Sequence, residues 1–126
     1  MGDLTTHFSR HEFACLGKNC CGGAAPVSYV LVEALQRLRY DIALSVNINS
    51  AFRCLTHNRR TKRSKDTSQH VLGTAADIWV RGMTPDELFN EVRKVYAFFN
   101  GGIGVYETFV HVDVRPNGPV RWRGIG

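Results

Sequence analysis

The chain has 126 residues, 44% of them hydrophobic and 21% charged, the size and balance of one globular domain, 1–126, that buries its own core without disulfides. That composition excludes a disordered tail, a collagen-like chain and a coiled coil, and no apolar run approaches the ~18 residues of a transmembrane segment. The net charge of +5 is local: Arg59, Arg60, Lys62, Arg63 and Lys65 share one polar segment, and the remaining basic side chains only balance the 11 acids.

In chain order, Ser9-Arg10-His11-Glu12 fits a capping box and predicts a short helical turn. A Gly- and Cys-containing stretch, 17–23, interrupts it. Pro26 suits the first turn of a longer helix, in which Leu31, Leu35, Leu38 and Ile42 form one apolar stripe. Val46 and Ile48 alternate with polar neighbours and predict a strand leading into Ser50-Ala51-Phe52-Arg53. Residues 56–69 are almost wholly polar and read as a long loop. Ala76, Ile78 and Val80 alternate with Ala75, Asp77 and Trp79 in a second strand. Thr84-Pro85-Asp86-Glu87 is another capping box, opening a helix whose Leu88, Val92, Val95 and Phe99 face the core and which ends at Asn100-Gly101-Gly102. Strands follow at 103–106 and 109–115, and Pro116-Asn117-Gly118-Pro119 turns into a last strand with Val120 and Trp122. The order predicts an α+β domain with a small, largely antiparallel sheet, helices on one face and the other face open.

Cys15, Cys20, Cys21 and Cys54 lack C-x-x-C spacing, so neither a zinc ribbon nor a thioredoxin site is indicated. Met1–Arg10 shows no basic start followed by an apolar stretch. The expectation is synthesis in a cytoplasm without a signal peptide, where free thiols are the default. A structural metal at Cys15, Cys20 and Cys21 is the alternative to packing thiols. The basic run from Arg59 to Lys65 reads either as a solvated loop or as a contact for a polyanion. No nucleic-acid motif accompanies it, so nucleic acid is not expected as a partner.

The chemistry lies on two strands. In Phe109–Val114 the valines 110, 112 and 114 share one face, which is core, while Phe109, His111 and Asp113 share the other. Asp77 sits inside a strand, where Asp is disfavoured, and points away from the core beside small Ala75. His70 ends the polar loop. His70, Asp77 and His111 thus make a set of two imidazoles and one carboxylate, N and O donors that zinc accepts, with a fourth position left open.

Three ordered blocks carry a resemblance. Ser68, His70, Gly73, Ala75 and Asp77 match S-x-H-x-x-G-x-A-x-D; Gly102-Ile103-Gly104-Val105-Tyr106 and Phe109-Val110-His111-Val112-Asp113 match G-x-G-x-Y … F-V-H-x-D; Ser50-Ala51-Phe52-Arg53 matches S-x-[FY]-R. With the opening His7–Phe13, they cover nearly the whole chain. The chain resembles the M15 metallopeptidases, the D-alanyl-D-alanine carboxypeptidase-like group, and within it the small branch that carries F-V-H-V-D-V-R. The resemblance implies a zinc peptidase acting on peptidoglycan stem peptides or cross-links, with His70, Asp77 and His111 holding one Zn2+ per chain. It further implies that Arg53 lines the site, stabilising the oxyanion or gripping a substrate carboxylate, and that Ser68 stands at the rim. Several relatives carry an acid three residues before the last ligand, where this chain has Thr108. The catalytic base is therefore either Asp113 or Glu107, with Asp113 favoured because it lies inside the matched block.

The expected protein is a monomeric wall hydrolase, carboxypeptidase-like or an endopeptidase. The expectation is a phage endolysin that reaches the wall after holin-type release, with Arg59–Lys65 touching anionic wall polymers. A bacterial enzyme is the rival origin. The alternative from another class is a non-catalytic zinc-containing binding module of the hedgehog type.

Overall fold

The computed structural model describes residues 2–61, 65 and 68–124; Lys62 and Arg63 of the basic run lie outside them. Five strands form one sheet: β1 (Asn47–Ser50), β2 (Ala75–Trp79), β3 (Gly102–Val105), β4 (Val110–Asp113) and β5 (Val120–Arg123). Their order is β1-β2-β4-β3-β5. Every pairing is antiparallel except β3 with β5, which is parallel. The largely antiparallel α+β architecture is therefore the one expected, with one parallel pair at an edge.

The core forms because the strands present a β-branched face to the helices. Ala76, Ile78, Ile103, Val110 and Val112 are fully buried against Leu31, Leu35 and Leu38 of α1 (Tyr29–Ile42) and Leu88 and Val92 of α3 (Pro85–Val92). Each such side chain contributes about 1.5–3 kcal/mol on leaving water. Truncating one, Leu35→Ala for example, costs about 2–5 kcal/mol.

Both capping signals produce helical starts. Glu12 accepts from the Ser9 N–H at 2.7 Å at the 3-10 turn Arg10–Phe13. Thr84 and Glu87 bond reciprocally at 3.1 and 2.8 Å, with Pro85 at the first position of α3.

Three expectations need correction. The long helix begins at Tyr29, not Pro26; the stretch before it is tied instead to the turn before β2 by Ser28 N–H to Gly73 O, 2.9 Å. The polar segment holds a helix, α2 (Leu55–Arg60), capped by the Cys54 thiol accepting from His57 N–H at 3.4 Å. It has no apolar period because its inward anchor is polar: buried Asn58 donates to Lys65 O at 2.7 Å. The helix after Thr84 breaks at Arg93–Val95 in tight i→i+3 turns and restarts as α4 (Tyr96–Phe99). The break shifts the phase by one residue, so Phe98 is buried at 0% and Phe99 is 52% exposed.

Candidate metal centre

On the sheet face opposite the helices, one cross-strand row reads Ser50, Asp77, His111, Gly104, Trp122, from β1 to β5. Opposed residues in a sheet put their side chains in contact. A register shift between Ile48 and Ser50 places Ser50 opposite Asp77 and swings the following chain toward His70. His70 itself lies on a turn closed by Gly73 N–H to His70 O, 3.3 Å. Gly73 has φ +73°, and a Cβ there would press on Pro26 O, so glycine suits that turn on both counts.

The turn and the two strands bring the three side chains together. Asp77 Oδ1 lies 3.2 Å from His70 Nε2 and 3.1 Å from His111 Nδ1. One donor atom from each of the three falls within 4.8 Å of the others. Each imidazole is held from behind. His70 Nδ1–H donates to Ala51 O at 2.6 Å, and His111 Nε2–H donates to Asp113 Oδ2 at 2.8 Å. These bonds fix the tautomers and leave Nε2 of His70 and Nδ1 of His111 turned toward Asp77. Outer hydrogen bonds of this kind orient metal-binding histidines.

The family model for peptidase M15 matches residues 6–113. The chain belongs to the peptidase M15 family. That membership supports a metallopeptidase-type activity. Comparisons with curated proteins and with solved structures return no match.

The group of His70, Asp77 and His111 carries opposing electrostatic pressures. Burial pushes the Asp77 carboxyl up, but hydrogen bonds from His111 and His70 outweigh it and hold the group well below the usual carboxylate range. Burial pushes His111 down, while hydrogen bonds to Asp113 and Asp77 win and raise it.

The sequence also singled out Asp113, Glu107, Arg53 and Ser68. Asp113 is fully buried and its oxygens are occupied: Oδ1 accepts from Gly102 N, Arg115 N and Arg115 Nε, and Oδ2 from the Arg115 guanidinium at 2.7 Å and from His111. Burial raises its pKa, yet Arg115 and His111 more than offset that and hold it below the usual range. Glu107 is exposed at the tip of the β3–β4 hairpin, in a shallow depression with Pro85, Asp86, Tyr106 and Arg123; none of His70, Asp77 or His111 lines it. The structure thus brings Asp113 to the donor set as a hydrogen-bond partner of His111 and leaves Glu107 apart.

Arg53 lies two residues past Ala51 in the segment that follows β1, and its N–H donates to His70 O at 3.1 Å. Burial lowers its guanidinium pKa, and the Asp77 charge opposes this. Its Nε is buried with no hydrogen-bond partner among the described residues. Ser68 Oγ accepts from the His70 N–H at 3.2 Å, closing the turn that presents the imidazole.

Two participants escaped sequence reasoning. Arg115 shares the parity of His111 and Asp113 in the expected 109–115 strand, but β4 ends at Asp113 and alternation does not show that the Arg115 guanidinium turns back onto Asp113. Trp122 packs on His111 with ring centroids 5.0 Å apart and donates Nε1–H to Tyr106 OH at 3.0 Å. Both lie beyond residue 113, outside the matched segment. The glycines of G-x-G were the available signal: a Cβ at Gly102 would strike the Asp113 carboxylate and one at Gly104 the Trp122 indole.

Proposed function

We propose that this M15 chain is a zinc peptidase that hydrolyses peptide bonds in bacterial peptidoglycan stem peptides. The observation that carries the reading is the convergence of His70, Asp77 and His111 on one point, with each imidazole tautomer set by a hydrogen bond from outside the group. Two neutral nitrogens and a carboxylate oxygen fit the donor preference of zinc and leave one coordination position for substrate chemistry. Zinc bound there supplies Lewis acidity, polarising a peptide carbonyl and activating water at neutral pH.

In this reading the protein's own residues do the rest. Asp113 is a positioning residue: its bond to His111 Nε2–H aims Nδ1 into the site, and Arg115 keeps the carboxylate charged and in place. Ser68 positions His70 through its backbone N–H. Arg53 presents a buried Nε–H that has no partner among the described residues, a donor suited to a developing oxyanion or to a substrate carboxylate. Stem peptides carry free carboxylates, which favours them over neutral peptides beside this guanidinium. Tyr106, stacked on Phe109 at 4.5 Å, and Trp122 supply a flat apolar wall against which the peptide lies. Serving in wall lysis, as an endolysin does, is the physiological role that this substrate class favours.

The test is hydrolysis of purified peptidoglycan by the zinc-loaded protein, followed by release of new amino termini and mass analysis of the fragments. New termini that vanish in chelator and return with zinc support the reading. A protein that binds zinc at this site and releases none is a binding module instead.

A further inference from the structure

The four cysteines lie apart from the His70–Asp77–His111 group in sequence and form a cluster of their own. Three of them, Cys15, Cys20 and Cys21, come from the irregular loop between the 3-10 turn and α1; the fourth, Cys54, caps α2. Their four Sγ atoms all lie within 4.8 Å of one another. Cys20 Sγ is 3.9 Å from both Cys15 Sγ and Cys21 Sγ. All four are free thiols. A disulfide needs its sulfurs at ~2.05 Å. Four thiolates around a tetrahedral zinc, each at ~2.3 Å, stand about 3.8 Å from one another. The observed spacing is that of ligands around an ion.

The loop is built as a metal knuckle is. Between Cys15 and Ala24 its only large apolar side chain, Leu16, is 67% exposed, so no hydrophobic anchor holds it. It turns through three left-handed residues, Asn19, Gly22 and Gly23. Its ends are joined by Cys15 N–H to Ala24 O at 2.8 Å, and it is moored to α2 by Arg60 to Lys18 O at 2.7 Å. Gly17 lets the loop lie against Cys20 and the His57 ring, where a Cβ would collide with both. Cys54 Sγ already accepts the His57 N–H, the type of bond that steadies a thiolate ligand.

We propose that Cys15, Cys20, Cys21 and Cys54 bind a second, structural zinc ion as a tetrathiolate centre. Thiols that bind the metal release their protons to solvent, and the four sulfurs become its whole coordination shell. The ion ties the 15–24 loop to residue 54, the end of a strap with three other fixed points. Ala51 O receives His70 Nδ1–H, Phe52 N–H donates to Phe13 O at 3.2 Å, and Arg53 N–H donates to His70 O. The cysteine centre thereby holds Arg53 and His70 in place from outside their site.

The experiment is elemental analysis together with cobalt substitution of the full chain purified under reducing conditions. Two zinc ions per chain are expected. Cobalt should give the intense near-ultraviolet charge-transfer absorption that thiolate ligands produce and imidazole or carboxylate ligands do not. The H70A/H111A double variant should keep one metal and the full thiolate band, which separates this centre from the other site. C20S/C21S should lose the band and one metal. Wild-type protein that takes up cobalt without a thiolate band overturns the proposal, even if C20S/C21S does not fold. So does an intact mass short of the hydrogens lost to disulfides in protein handled with reductant.

Discussion

Trp122 occupies the space that a side chain at Gly104 would need, and so reaches across β3 to lie on His111. The two are direct partners in the parallel β3–β5 pairing, and His111 is the partner of Gly104 on the other side. Gly104→Ala should push the indole off the imidazole. The expected cost is about 1–3 kcal/mol, the range for overfilling a packed site. Urea denaturation measures it, and a change in tryptophan fluorescence shows whether the indole moved. An unchanged spectrum and stability would mean that Trp122 does not pack there.

The two carboxylates that the sequence offers as the base, Asp113 and Glu107, should separate cleanly. Asp113→Asn should weaken zinc binding at the histidine site about 10–100-fold, the loss typical when an orienting partner is removed. At saturating zinc it should keep kcat within about tenfold of the parent, whereas loss of a true general base costs ~10²–10⁴. Glu107→Gln, at an exposed hairpin tip, should also stay within about tenfold. A dead Glu107→Gln protein with zinc retained would show that the hairpin folds over the site when substrate binds.

Arg53→Lys should lower kcat/KM about 10²–10³-fold, because an ammonium has neither the Nε–H nor the planar fork of the guanidinium. Its melting temperature should barely move, since the Nε of Arg53 makes no bond among the described residues. Steady-state kinetics on a defined stem peptide, beside a thermal melt, checks both halves.

Arg115→Met should destabilise the metal-free protein by about 2–3 kcal/mol by leaving the buried Asp113 carboxylate with fewer partners. The sign of its pH dependence follows from the direction of the Asp113 shift. The group is held below its unfolded value of ~3.9, so its stabilisation is complete above that pH and is lost as pH falls below it. Removing Arg115 should raise the native value and flatten the acid limb of the stability curve. Denaturation of the metal-free protein from about pH 6 down to about pH 2 would show this.

If the basic segment 59–65 grips anionic wall polymers, rising salt should depress activity on whole sacculi far more than on a short soluble peptide, since the Debye length shrinks from about 10 Å at 0.1 M to about 3 Å at 1 M. Replacing Arg59, Arg60 and Lys65 by Gln should reproduce the difference at low salt. Parallel salt curves for the two substrates would reduce the segment to solvated surface.

Much of the fold was legible because short-range rules decide it. Alternation in Phe109–Val114 and Ala75–Val80 put the valines and isoleucine inward and Asp77, His111 and Asp113 outward, and both capping boxes marked true helical starts. The same alternation named two of the three candidate donors, Asp77 and His111; His70 came from the end of the polar loop. A period of two fixes the face of a residue, but not its neighbour across the sheet. Only tertiary structure set Asp77 opposite His111, because that register depends on β2 and β4 pairing over more than thirty residues of separation. It also decided what Asp113 does: β4 stops at Asp113 and Arg115 folds back on it, a contact that alternation, which assigns only a face, does not give. The break after Val92 exchanged Phe98 for Phe99 in the core, a phase change invisible to a continuous helical count. The cysteines show the same limit. Their spacing in the chain suggested at most a partial site, and the fourth sulfur arrived only when α2 folded against the 15–24 loop.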